Sequence, residues 1–150
     1  NFNPDGTIQK VIPTLRGVGL TKARSHIQID RYSALQGKGI GIDYLDKNNC
    51  FAGWKTLFSK SNTALIYNKV DFGNEKVEEI TVRVKSAKGG VLVVRADGTK
   101  GNIIAKVKIP KSAAWKNVRA QVLHAPQGVH ALHVSLQSGA DVEVDWLGFI

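Results

Sequence analysis

Three oxygen-bearing side chains in two distant segments carry the most suggestive chemistry of this sequence. Gln28 and Asp30 alternate along "HIQIDRYS" at 26–33, and Asp145 sits in the closing "VEVDWLGF" at 142–149. Alternate side chains of an extended chain share a face, so Gln28 and Asp30 point together. The same parity sends Val142, Val144 and Trp146 to one face of the last segment, and Glu143 and Asp145 to the other. The first and last strands of a closed sandwich often run near each other, which would let Gln28, Asp30 and Asp145 converge. Hard oxygen donors without His or Cys suit calcium, with backbone carbonyls completing its roughly six to eight ligands. The plain alternative is that all three are outward, solvated residues.

Other candidates for chemistry are weaker. His130 and His133 in "HALH" are spaced i, i+3, which puts their rings on opposite faces of a strand and argues against shared metal ligation. No serine lies in a G-x-S-x-G elbow, and Cys50 stands alone, without a partner for a disulfide or a metal cluster. "GKGIG" at 37–41 has alternating glycines but no following helix, so turn glycines explain it better than a phosphate loop. Nothing selects a carboxylate pair for glycoside hydrolysis from the 12 acidic residues. Trp115 follows the turn-like "PKSAA", and Phe58 lies in the loop-like "TLFSKSN". Each either caps the core or, as one of two aromatics at one rim, stacks on the apolar face of a sugar.

The elements that must position these residues are strands. "EEITVRVKS" (78–86), "GGVLVVRADG" (89–98), "GNIIAKVKIP" (101–110), "NVRAQVLH" (117–124) and "GVHALHVSLQSG" (128–139) alternate and are bounded by turn residues. Their cadence predicts an all-β sandwich of two antiparallel sheets. No stretch holds a helical period over ten residues.

A chain of 150 residues, 43% hydrophobic and 22% charged, fits one soluble globular unit. No apolar run predicts a membrane helix. The charge of +9 is spread along the chain, without a basic run or an aromatic-basic signature, so neither nucleic acid nor a membrane is expected as partner. A basic surface instead favours an acidic polysaccharide, or serves only solubility. Residues 1–20 read as an edge strand, or as a linker or the tail of a preceding module, and 21–150 as the sandwich.

The order of motifs resembles family 6 of the carbohydrate-binding modules over about residues 24–150. "HIQIDRY" is similar to that family's opening "I-E-A-E-x-Y", and "ALIYNKVDFGN" (64–74) to its "Y-x-x-V-D-F-G". "VRVKSAKGG", "GNIIAKVKIP", "SAAWKNV", "GVHALHVSL" and "VEVDWLGF" follow in the family's order. The leader "NPDGTIQKVIPTLRGVG" resembles the C-terminal edge of a family 43 glycoside hydrolase domain. The resemblance implies a jelly-roll sandwich that binds polysaccharide, xylan or arabinoxylan first, without cleaving it. It further implies a monomer attached to a secreted glycoside hydrolase. A structural calcium would sit at Gln28, Asp30 and Asp145. The sugar cleft would use Trp115 and Phe58 as stacking aromatics, although Ala113 and Ala114 replace two glycines of the family pattern. Asp141 is the candidate polar group. A structural module that packs on the catalytic domain and binds nothing is the rival expectation.

Overall fold

The computed structural model describes residues 4–7 and 19–150, so the expected linker at 1–20 lies largely outside the described residues. Twelve strands are described: β1 (Thr21–Lys22), β2 (Ile27–Gln28), β3 (Ala34–Gln36), β4 (Ile40–Tyr44), β5 (Trp54–Phe58), β6 (Thr63–Asp71), β7 (Glu79–Ser86), β8 (Gly90–Ala96), β9 (Ile103–Ile109), β10 (Ser112–Gln121), β11 (Val129–Gly139) and β12 (Val142–Phe149). One sheet runs β1-β6-β11-β8-β9 with β3 also on β6, and the other β10-β7-β12-β5-β4 with β2 also on β12. All pairs are antiparallel except β1 with β6. This is the all-β sandwich that the alternation predicts, in the jelly-roll form that the resemblance implies.

Period-2 patterning places the core between the sheets. Leu65, Leu92, Val94, Val107, Leu132, Val134 and Leu136 face inward from the first sheet, against Ile80, Val82, Val84, Val142, Val144, Leu147 and Phe149 of the second. Each such side chain contributes about 1.5–3 kcal/mol by leaving water. The Tyr67 hydroxyl donates to the Ile29 carbonyl at 2.6 Å, which ties the segment after β2 to β6 beneath it.

One expectation about β12 is corrected. Val144 pairs with Val84 and Trp146 with Arg83, so Asp145 is an extra residue with no partner on β7. This β-bulge resets the parity. Trp146 therefore lies on the outer face with Arg83, while Leu147 and Phe149 fill the core. β2 is also shorter than "HIQIDRYS" suggests: only Ile27 and Gln28 pair, with Leu147 and Trp146, and Asp30 lies in a turn.

The end of the sandwich formed by the β8–β9 and β10–β11 connections carries a charged hydrogen-bonded unit. His130 Nδ1 meets Asp97 Oδ2 at 2.6 Å and its Nε2 meets the Gln127 carbonyl at 2.9 Å. The Ala131 amide donates to Asp97 Oδ1. Both ring nitrogens face acceptors, so the imidazolium is favoured: Asp97 above all raises the His130 pKa, and His130 above all lowers that of Asp97. The raised His130 contributes stability fully present below its unfolded value near 6.5 and lost as pH rises through the folded value. The lowered Asp97 contributes stability present above 3.8 and lost as pH falls through its folded value. His133, lowered chiefly by burial, works in the opposite sense to His130. Thermal melts from pH 5 to 8 on His130→Gln should therefore show a smaller loss of stability with rising pH than the parent; an identical slope would mean that the pair is not linked to folding.

Candidate functional site: a tryptophan rim and a bulged carboxylate

Three connections meet at the other end of the second sheet: β7–β8, β9–β10 and β11–β12. The β11–β12 turn approaches closely enough that a Cβ on Gly139, at φ +96°, would lie 2.3 Å from the Gly89 carbonyl oxygen. Only glycine fits there. Asp141 follows with φ +53°, and its Oδ2 accepts from Lys88 Nζ at 2.6 Å. Ser86 Oγ accepts from the Gly89 and Lys88 amides and holds the facing turn. The lysine and aspartate are both well exposed, so their pair is a weak one.

Trp115 lies on β10, within a strand rather than in the turn that "PKSAA" suggests. Pairing of β10 with β7 is irregular between Ser112 and Lys116, and Trp115 lies in that irregularity, its ring reaching Arg83 on the outer face. The Arg83 guanidinium carbon lies 5.7 Å from the Trp115 ring centre, a cation–π contact that holds the half-buried ring. Glu143 is ion-paired with Lys55 at 2.8 Å and Lys85 at 3.9 Å, so it bridges β5, β12 and β7. The structure thus brings Trp115 and Asp141 to one end of one sheet.

Phe58 does not join them as a surface group. It pairs with Val142 on one side and Ile40 on the other, and it is 0% exposed. A ring with no accessible face cannot stack on a sugar, so the expectation for Phe58 is corrected. The physical reason is the β4–β5 hairpin, which makes β5 an interior strand and turns Phe58 into the core. At the far end of that hairpin Tyr44 and Trp54 pair across the strands and stack, ring centres 4.4 Å apart, both partly exposed. Sequence reading missed this hairpin, although the two aromatics bracket the turn-rich "LDKNNCFAG".

The segments that carry Gln28, Asp30 and Asp145 lie side by side. The Ile29 amide donates to the Asp145 carbonyl, and Gln28 pairs with Trp146. Asp145 is 6% exposed, and its Oδ2 lies 3.2 Å from Arg83 Nε, near enough to pair but not aligned as a hydrogen bond. Burial chiefly raises the Asp145 pKa, Arg83 opposes this, Asp30 raises it further and His26 lowers it. Asp145 therefore sits in a partly dry place, near enough to Asp30 to feel its charge and with incomplete compensation, and hard carboxylate oxygens of this kind suit a divalent cation. Among the described residues no group of three His, Cys, Asp or Glu forms a metal cluster, so Gln28 and backbone carbonyls would have to complete it.

A jelly-roll sandwich that displays a clamped tryptophan on its rim has the architecture of a carbohydrate-binding module. The chain belongs to family 6 of these modules, whose profile, "Carbohydrate binding module (family 6)", matches residues 36–150. Modules of this family bind carbohydrate and are generally non-catalytic. The endo-1,4-beta-xylanase A of Thermoclostridium stercorarium is 28% identical over 130 residues, which are 85% of this chain and 19% of the xylanase. The chain thus spans about a fifth of that relative. Among solved structures, CsCBM6-3 from Clostridium stercorarium in complex with cellobiose has a TM-score of 0.77 at 22% identity, covering 87% of this chain and 96% of that one. A glycoside hydrolase family 43 arabinoxylan arabinofuranohydrolase from Bacillus subtilis, in complex with cellotetraose, has a TM-score of 0.77 at 19% identity, covering 99% of this chain and 32% of that one.

Proposed function

We propose that this module holds an attached, secreted glycoside hydrolase on plant cell-wall polysaccharide, with xylan or arabinoxylan as the first target. The observation that carries the reading is Trp115, fixed on the outer face by Arg83 and set at the same end as Asp141. A sugar ring stacks on the indole, and a hydroxyl competes with Lys88 for the Asp141 carboxylate. Burying about 100 Å² of apolar surface per sugar stabilises by roughly 2–3 kcal/mol before ordering costs. Affinity for one site is then on the order of micromolar to millimolar, and tethering to a catalytic domain offsets its weakness. The xylanase and arabinoxylan hydrolase relatives support the choice of polymer and the attachment. Affinity electrophoresis on xylans, arabinans, glucans and galactans tests it: retardation by xylans is expected, and unchanged mobility on every polymer would sink it.

A second reading has the module pack on its catalytic neighbour and bind no glycan. The burial of Phe58, which leaves the rim without its expected second aromatic, favours it. Removing the module would then lower the melting temperature of the whole enzyme, with no retardation on any polymer.

Calcium belongs to the proposal as well. Gln28, Asp30 and Asp145 would hold it, and the ion would supply the positive charge that Arg83 alone does not. An ion bound only to the folded state at about a hundredfold over its Kd stabilises by about 2.7 kcal/mol. Melting temperature should rise with calcium, fall with EDTA, and cease to respond in Asp145→Asn. No response in the parent would mean that Arg83 suffices.

A further inference from the structure

We infer that the outer face of β10, β7 and β12, at the end away from Trp115 and Asp141, carries a second site that takes a carboxylated sugar between Arg24, Arg119 and the His26–Trp146 stack. This rests on the reading of the chain as a glycan-binding module but uses different residues. The bulge at Asp145 turns Trp146 outward, and the His26 ring lies parallel to it, 3.8 Å between centres and 12° between planes. The two rings make a flat wall. Beside it opens a cleft of about 340 Å³, lined also by Arg24, Thr81, Asn117 and Arg119. That volume is at the low end of small-molecule sites, about 300–1,000 Å³, and suits one or two sugar rings.

Register explains the trough. Arg119, Thr81 and Gly148 form one row across the three strands, with Asn117 and Trp146 in the next row. Gly148 has no side chain to fill the β12 end of the row. A Cβ there would come 3.1 Å from the Ser25 carbonyl oxygen, so the glycine lets the 25–26 segment lie down beside Trp146.

Charge selects the ligand. Arg24 Nη2 is held by the Glu75 and Lys76 carbonyls at 3.4 and 3.2 Å and meets the exposed Glu75 carboxylate at 3.5 Å. Arg119 Nη1 meets Glu79 at 3.4 Å and is largely exposed. Both carboxylate pairs are long and solvent-exposed, so they leave the guanidinium groups open to a better partner. A uronic acid residue brings a carboxylate for the arginines, hydroxyls for Asn117 and Thr81, and an apolar ring face for the aromatic wall. The net charge of +9 favours an acidic polymer at longer range.

The test is an NMR titration of the labelled chain at low salt with a xylo-oligosaccharide bearing one glucuronic acid, and with the same oligosaccharide after its carboxyl is reduced to an alcohol. The acidic sugar should shift Asn117, Arg119 and the Trp146 indole, and bind about fivefold more tightly than the neutral one, the most that an exposed ion pair contributes. That preference should vanish in 0.5 M salt and in the Arg24→Gln/Arg119→Gln variant. Equal affinities, or a preference that survives the double variant, would overturn the inference. Shifts at Trp115 with the neutral sugar report the rim independently: their loss removes the rim reading, whereas acid-dependent shifts at Trp146 decide this one.

Discussion

Trp115→Ala should weaken or abolish the proposed xylan retardation while the chain stays folded. The indole is the flat apolar surface at the rim, and its loss subtracts roughly 2–3 kcal/mol of sugar burial. That is about fiftyfold in affinity. A module that starts near millimolar then falls below detection, and one that starts near micromolar weakens to roughly tens of micromolar. The cost to stability is small, because Trp115 is only half-buried and its contact with Arg83 contributes about 0.5–1 kcal/mol. Arg83 keeps its place beside Asp145. Circular dichroism and melting of the variant should match the parent within a few degrees. Retardation equal to the parent on every xylan would move the binding surface elsewhere.

Phe58→Ala has the opposite signature. The ring is wholly buried between Val142 and Ile40, so its removal leaves a cavity that costs about 3–5 kcal/mol. In a domain of this size that lowers the melting temperature by about 10 °C. Binding per folded molecule should not change, since Phe58 has no surface to offer a sugar. A melting temperature like the parent's, together with lost binding, would restore Phe58 to the cleft. Measuring both variants for both properties separates two aromatics that the sequence places in one site.

The strands that alternate cleanly were legible. β7, β8, β9, β11 and β12 fall within a few residues of their expected segments, because one face of each meets the core and the other meets water. β4 and β5 were not, since Gly39, Gly41 and the "DKNNC" run hide a hairpin whose alternation is carried by few large residues. Trp115 was placed in a turn because Ser112 bonds locally, its hydroxyl donating to the Ala114 carbonyl and accepting from the Ala114 amide. The pairing with β7 resumes only at Lys116. Of the site, the pairing of the Gln28 segment with the Trp146 segment could be anticipated from the closure of first strand on last. The Arg83 bridge between Asp145 and Trp115 could not, because it spans three strands whose register no local pattern encodes.

The bulge at Asp145 makes the end of the chain behave like a reading frame. If Asp145 took a regular place opposite Arg83, every following residue would shift by one step. Trp146 and Gly148 would then turn to the interior, and Leu147 and Phe149, now 0% and 2% exposed, would turn to water. The outer aromatic wall and the inner apolar layer would change places in a single event. Deleting Asp145 would keep the frame, because Trp146 would follow Val144 directly opposite Arg83. The frame therefore depends on one residue standing outside the ladder, whatever its side chain.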